Sequence, residues 1–231
     1  MPRALYPKQH QLSATITRDT VKAGKSRQLK NYVFCAFCED RFNKGGEEYV
    51  IELLAPTSNS FPLHERLKFG FPREHHQDFS RFAAYDVGVD AQKLAFFALS
   101  IAWKGAAFNW TLPDRTKTTL LDLGAYREAI RQFLLGKSAF PRDVASVIVM
   151  VGNDSESRSV WNIPSQEHEG DYEHYRFIAR GVFFRIILGN TIPAMLRDAS
   201  CLSPREVIIY ASIAHRVTKD FAPLLDAPVS E

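Results

Sequence analysis

The stretch YEHYRFIARGVFFRIILG, Tyr172 to Gly189, decides the fold class of this chain. Aromatic and β-branched residues dominate both halves, and the only turn signal between them is Arg180-Gly181. The pattern therefore predicts two strands joined at that dipeptide. Upstream, VASVIVMVG at 144–152 is a second strongly β-branched run and predicts a further strand.

Helical patterns surround these strands. Asp90 is placed to cap a long helix that is apolar on both faces and would therefore be central to the fold. LDLGAYREAIRQFLLG predicts a turn at Gly124 and a helix that ends at Gly136. Ser203, Pro204 and Glu206 match the start of a final helix over about 204–221. Together these patterns predict an α+β fold, a mixed sheet with a central apolar helix and a C-terminal helix.

The N-terminal part reads as a smaller unit. LSATITRD predicts a short strand, KAGKSRQLK a basic loop, and NYVFC a second strand. A helical pattern follows from Glu39 to Pro56, interrupted at Gly45-Gly46. APTSNSFP resembles a linker, so we expect a zinc-knuckle-like module over 1–55 and a main domain over 59–231.

Composition and charge restrict the cellular compartment and the classes of binding partner that we expect. The 231 residues are 45% hydrophobic with a net charge of +3, which permits nucleic-acid contact without requiring it. The apolar stretch Leu94 to Leu112 carries Lys104 near its middle, at a cost of about 2.5–3.5 kcal/mol on membrane insertion. We therefore expect a buried helix and no membrane partner. The few cysteines and the lack of a signal-peptide pattern predict reduced thiols in the cytoplasm.

Cys35 and Cys38 have the spacing of one half of a zinc site. The turn between two cysteines separated by two residues can point both sulfurs at one metal ion, and the alternative is a pair of buried thiols. Cys201 is distant, so histidines would have to complete the shell. Two groups of residues are candidate metal ligands, with solvated loops as the alternative: a histidine set of His10, His64, His75 and His76, and a divalent-cation set of His168 and His174 with Glu167, Glu169, Asp171 and Glu173.

The segment from Cys35 to Glu47 resembles a bacterial family of HNH endonuclease-like proteins, through the string Cys-x-x-Cys-Glu-x-x-Phe-Asn-Lys-Gly-Gly-Glu. Four later segments resemble the same family in the same order. They are FFALSIAWKGAAFNW, LDLGAYREAIRQFLLG, FPRDVASVIVMV and FIARGVFFRIILGNTIP.

The resemblance implies a complete zinc site and a catalytic histidine in fuller members of the family. There, a first Cys-x-x-Cys and a His-Ile-Pro-like segment precede the pair matched by Cys35 and Cys38, and the histidine would activate water beside a divalent ion. MPRALYP resembles the stretch after that histidine. Two expectations stay open: Met1 is an internal methionine of a longer zinc-bearing protein, or this member lost the front half and uses the rest for binding.

Two carboxylates and four basic residues are further candidates. Glu39 and Glu47 recur in the resemblance, where each would ligate a metal or serve as a base; a structural role at a helix start is the alternative. A candidate nucleic-acid contact is the basic segment, whose members are Lys22, Lys25, Arg27 and Lys30. The leading prediction is an HNH-nuclease-related protein that contacts nucleic acid and is catalytically incomplete in this form. The alternative is a non-catalytic interaction or regulatory module with a protein partner or a second copy of itself.

Overall fold

A computed structural model describes residues 12–16, 21–25, 34–54, 60–111, 117–153, 158, 161–169 and 171–211. The helices are α1 (Ala36–Phe42), α2 (Glu48–Leu54), α3 (Pro62–Phe69), α4 (Ala91–Ala107), α5 (Arg127–Leu134) and α6 (Ala194–Asp198). The strands are β1 (Leu12–Ile16), β2 (Val21–Lys25), β3 (Glu74–His75), β4 (Phe79–Ala83), β5 (Ala145–Gly152), β6 (Trp161–Asn162), β7 (Ser165–Glu169), β8 (Tyr172–Ala179), β9 (Val182–Leu188) and β10 (Val207–Ala211). The strands form one mixed sheet in the order β2-β1-β6-β8-β9-β5-β10-β4-β3, and β7 also pairs with β8. The predicted α+β class is confirmed.

The hairpin of β8 and β9 lies at the centre of this sheet, and the predicted pair of strands joined at Arg180-Gly181 is confirmed. Ala179 pairs with Val182, so Arg180 and Gly181 form a two-residue turn. Both have positive φ, 51° and 79°, the combination that matches the right-handed twist of the flanking strands. From this turn, the two strands pair without interruption as far as Glu173 and Leu188.

Strand β5 is buried on both faces, because the sheet has helices on both sides. Val147 and Val149 belong to the main hydrophobic core, whereas Ile148 packs in a smaller cluster on the opposite face with Ile187. This is the period of two expected of a strand. Helix α6 covers the smaller cluster through Leu196.

Helix α4 lies across the other face of the sheet and fills the main core. The Asp90 side chain accepts a hydrogen bond from the backbone N–H of Lys93 at 3.1 Å, which confirms the predicted cap. The ring of Phe97 contacts those of Phe177 and Phe184 edge-on, with centroids 5.9 and 5.4 Å apart. The helix ends at Ala107. The prediction of a central apolar helix is confirmed.

Helices α1 and α2 are one continuous helical segment, and the predicted interruption at Gly45-Gly46 is wrong. A π-helical turn, Asn43–Glu47, joins them. The glycines permit close approach to α4: a Cβ on Gly46 would lie 2.7 Å from the Lys93 carbonyl oxygen, and one on Gly45 2.3 Å from the Phe96 ring. A glycine pair that reads locally as a helix break is here a helix–helix contact.

The two predicted domains meet in one hydrophobic cluster. Val50 and Leu53 on α2 share this core with Leu94 on α4 and Leu67 on α3. Most of the predicted linker, residues 55–59, lies outside the described residues. The division into two domains therefore stays a prediction. Helix α2 of the first predicted unit packs directly on helices of the second.

The predicted C-terminal helix is wrong where the structure describes it. Residues 203–206 form a turn, in which the Glu206 N–H donates to the Ser203 carbonyl at 2.9 Å and Glu206 has a φ of 47°. Val207–Ala211 is then strand β10, parallel to β5 and antiparallel to β4. The apolar run finds a strand partner on each side, and this pairing overrides the local helix signals. The rest of the predicted helix lies outside the described residues.

The N-terminal predictions are partly confirmed. Strand β1 matches LSATITRD. The predicted basic loop starts at residue 22, but its first four residues belong to strand β2, which pairs antiparallel with β1. Phe34 and Cys35 are not in a strand, and the rest of NYVFC lies outside the described residues. Helix α5 occurs as predicted, and Gly136 after it has the positive φ, 65°, of a helix-ending glycine.

Candidate functional site

Cys35 and Cys38 lie together at the start of α1. Cys35 occupies the N-cap position with an extended backbone, φ −68° and ψ 160°, and Cys38 stands in the first turn. Cys35 is exposed and Cys38 is half-buried. The two candidate ligands are therefore neighbours in space and open to solvent, so the alternative of two buried thiols does not describe Cys35.

The two thiols differ in acidity because each acts on the other. A hydrogen bond from the Cys38 backbone N–H and a second interaction with the Cys38 thiol lower the pKa of Cys35. The pKa of Cys38 is raised, first by its hydrogen bond to Cys35 and then by burial. Thiolate is the form that binds metal, and Cys35 is the thiol of the pair that loses its proton more readily.

The donor set near the cysteines fits half of a structural zinc site. Two thiols on one turn supply two of the four ligands that such a site needs. Among the residues that the structure describes, no three side chains of His, Cys, Asp or Glu come together as a metal-binding group. Glu39 stands next to Cys38 in α1, and its charge helps to raise the pKa of Cys38.

Three of the four histidines in the candidate ligand set make contacts of their own in the structure. His64 is buried and contacts Tyr210, His75 hydrogen-bonds Ser80 at 2.8 Å, and the ring of His76 stacks on Phe79. Cys201 is fully buried. His10 lies outside the described residues.

The acidic and histidine-rich segment is a β-hairpin of β7 and β8. Three of the six candidate ligands form contacts across the strands: His168 hydrogen-bonds Glu173 at 2.6 Å, and Glu167 forms an ion pair with Arg176. His174 is buried and accepts a hydrogen bond from Arg185. These contacts favour the structural interpretation over the candidate cation site.

Glu47 is held by a buried ion pair instead of pointing at the cysteines. It lies in the π-helical turn, where the Lys104 ammonium group of α4 donates to its Oε1. Both side chains are less than 10% exposed. Of the two roles left open for Glu47, metal ligand or structural group, this contact favours the structural one. Sequence reasoning used Lys104 only to exclude a membrane span.

The basic segment is described only in part. Lys22 and Lys25 lie on β2, with Thr15 and Leu12 as their partners on β1. Strand β2 is the edge of the sheet opposite to β3. Arg27 and Lys30 lie outside the described residues.

The aromatic–basic surface is a second candidate contact, one that sequence reasoning missed; it consists of Lys68, Phe69, Phe71, Arg73 and Tyr85. The three aromatic side chains are 77%, 90% and 60% exposed. The Lys68 ammonium nitrogen lies 5.4 Å from the centroid of the Phe69 ring, and the Arg73 guanidinium lies 5.6 Å from that of Tyr85. The sequence signal for it is KFGFPR, where basic residues flank two phenylalanines separated by one glycine.

No protein-family model, curated protein or solved structure matches the chain. Within the ranges that the structure describes, none of the helices has the length and apolar character needed to span a bilayer.

Proposed function

We propose that this chain is a nucleic-acid-contacting protein related to the HNH endonucleases, that it binds single strands, and that the 1–231 form does not cut them. The aromatic–basic surface carries the proposal. The resemblance of the segment from Cys35 to Glu47 supports the relation to HNH proteins.

The exposed rings supply the first part of the argument. Phe69 and Phe71 bracket one glycine after α3, and each exposes more than three quarters of its surface to water. Isolated apolar side chains on a surface are ordinary, but three large aromatic groups beside basic side chains form a platform on which unpaired bases stack. Stacking contributes about 1–3 kcal/mol per base. A duplex keeps its bases stacked inside, so this platform favours single strands.

The cations of the surface are few, which predicts the salt dependence. Arg73 is held by Asp86 through two hydrogen bonds of 2.5 and 3.0 Å, and this contact fixes its guanidinium beside Tyr85. Asp86 offsets the Arg73 charge, so Lys68 contributes most of the net attraction for phosphate. The salt dependence of binding becomes steeper with each additional phosphate that the protein neutralises. Binding at this surface should therefore weaken only gently with salt.

The basic segment is a separate contact in this proposal. Strand β2, which carries Lys22 and Lys25, is at one edge of the sheet, and β3, which follows Arg73, is at the other. Contact through the basic segment would depend on phosphate charge and weaken steeply with salt. The slope of affinity against salt thus separates the two surfaces.

We do not expect residues 1–231 to cleave nucleic acid. Phosphodiester hydrolysis by an HNH-type centre needs a base that activates water and a metal beside the phosphate. The resemblance assigns the base to a histidine of a segment that residues 1–231 do not match. Binding can survive without it, because stacking and charge contacts need no catalytic centre.

The test is fluorescence anisotropy with a labelled oligothymidine and a labelled duplex over a salt series. We expect tighter binding of the single strand and a shallow salt slope. Phe69→Ala/Phe71→Ala should weaken binding about tenfold or more, since each lost stack removes about 1–3 kcal/mol. Phe37→Ala removes another exposed aromatic, 70% exposed, and should leave affinity unchanged.

Other outcomes would assign the contact elsewhere or exclude it. Equal affinity for duplex, a steep salt slope and full sensitivity to Lys22→Ala/Lys25→Ala would move the contact to the basic segment. No binding of either probe would exclude nucleic acid and leave the interaction module with a protein partner. Metal-dependent nicking of a plasmid in Mg²⁺, Mn²⁺ or Ni²⁺, abolished by a chelator, would contradict the inactive form.

A further inference from the structure

Cys35 and Cys38 lie on a single turn at the start of α1, Cys35 at the N-cap and Cys38 three residues later. Cys35 is exposed to any small molecule in solution. The third cysteine of the chain, Cys201, is fully buried against α4, where its thiol contacts the Ala91 carbonyl oxygen at 3.9 Å. The chain therefore contains one accessible dithiol and one inaccessible thiol.

The backbone of this turn suits a covalent bond between the sulfurs. A disulfide needs Cα atoms about 4.4–6.8 Å apart, and the rise and radius of an α-helix place Cα atoms three residues apart at about 5 Å. Cys35 has an extended backbone outside the helix, so its side chain can approach the first turn. The Phe34 ring packs edge-on against Phe42 with centroids 5.2 Å apart, which anchors the chain on both sides of the pair. The positions of the two cysteines are therefore compatible with a disulfide.

We propose that Cys35 and Cys38 form a reversible disulfide by exchange with a small-molecule disulfide such as oxidised glutathione. Cys35 attacks as thiolate, forms a mixed disulfide and releases one glutathione thiol; Cys38 then displaces the second. The protein loses two electrons and two protons, and one small disulfide becomes two thiols. This inference does not rest on the proposed function, because it needs no nucleic acid.

The disulfide and zinc exclude each other in this site. A sulfur in a disulfide has no thiolate to offer a metal, so oxidation removes both available ligands at once. The surrounding fold does not depend on either state, because the segment is anchored through Phe42 and the residues of α2 in the main core.

The experiment uses the full chain, freed of metal with a chelator and equilibrated with oxidised and reduced glutathione. Free thiols are then alkylated and the protein is digested with trypsin. Residues 31–41 form one peptide with both cysteines, and Cys201 falls in another. We expect the first peptide to lose two hydrogens and take up no alkyl group, reversibly on adding reductant. The Cys201 peptide should show no disulfide in any sample.

Matched variants identify the order of attack. Cys38→Ser should stop at a stable glutathione adduct on Cys35, and Cys35→Ser should react more slowly because Cys38 is half-buried. Glutathione adducts on both cysteines of the unaltered chain, without the internal bond, would overturn the proposal. Absence of any reaction at Cys35 would overturn it as well. Circular dichroism of each variant confirms that the fold is intact.

Discussion

The Lys104 ammonium group donates to the Glu47 carboxylate inside the protein, where α4 meets the π-helical turn before α2. The ammonium nitrogen also lies 4.5 Å from the centroid of the Phe42 ring. The Trp110 indole N–H donates to the Lys104 carbonyl at 3.2 Å. An apolar helix can hold a lysine near its end because the carboxylate and the ring replace the water that the ammonium group loses.

Removal of Lys104 alone should therefore lower the free energy of unfolding. Lys104→Met leaves the Glu47 carboxylate buried without a counter-ion, and we expect a loss of about 3–5 kcal/mol in the free energy of unfolding. Adding Glu47→Met should recover part of that loss, because no buried charge remains. Urea unfolding followed by circular dichroism measures both. Lys44→Met, which breaks an exposed pair with Asp40, is the control and should leave the free energy of unfolding nearly unchanged, because water screens the pair. Additive losses in the double variant would show that the two groups do not interact.

A side chain at Gly45 or Gly46 should lower the stability of the protein, and the reason differs between the two positions. At Gly46 a Cβ would meet the Lys93 carbonyl oxygen at 2.7 Å, so the backbone of α4 would have to move. At Gly45 it would meet the Phe96 ring, which can be truncated. We expect each Gly→Ala variant to lose about 1–3 kcal/mol of stability. Phe96→Ala should reduce the cost of Gly45→Ala but not that of Gly46→Ala in a double-mutant cycle. Equal relief at both positions would contradict this packing.

The elements that local chemistry controls were predictable from sequence. The Arg180-Gly181 hairpin and the Asp90 cap depend on residues close together in the chain, and both occur as expected. The elements that the sequence did not predict depend on contacts between residues that are far apart in the chain. The turn at residues 203–206 and strand β10 exist because β5 and β4 offer strand partners, which no cap signal reveals. Glu47 and Lys104 are 57 residues apart, and only the packing of two helices brings them together.

The His64 site couples stability to pH. His64 is 8% exposed, Arg158 donates a hydrogen bond to its Nε2 at 2.7 Å, and the Tyr210 hydroxyl oxygen lies 3.0 Å from the same nitrogen. Burial lowers the pKa of His64 below 6.5, and the positive charges of Arg158 and Lys68 lower it further. A hydrogen bond to the Asn153 backbone and the charge of Glu65 oppose this shift. The folded state therefore holds the neutral imidazole.

The unfolded chain then binds more protons than the folded one as the pH falls below about 6.5. The contribution of His64 to stability is present above that value and is lost on acidification. We expect the unfolding free energy to decline between about pH 6.5 and 5, before most carboxylates titrate. His64→Gln keeps a hydrogen-bond acceptor for Arg158 and should flatten this decline. His75→Gln removes an exposed imidazole as control. A decline of equal steepness in His64→Gln would show that another group is responsible.

Zinc binding by residues 1–231 should be weak, because a structural zinc ion is held by a filled shell of four ligands. Cys35 and Cys38 supply two, and no third ligand joins them among the described residues. We expect elemental analysis of the purified chain to find clearly less than one zinc per monomer, and a competing chromophoric chelator to remove what is present. Cys35→Ser/Cys38→Ser should abolish residual binding, whereas Cys201→Ser, at a fully buried position, should not affect it. If one zinc per monomer resists the chelator, further ligands come from residues beyond the described ranges or from a second chain. Sedimentation of the zinc-bound protein separates these two cases, since a shared ion requires a dimer.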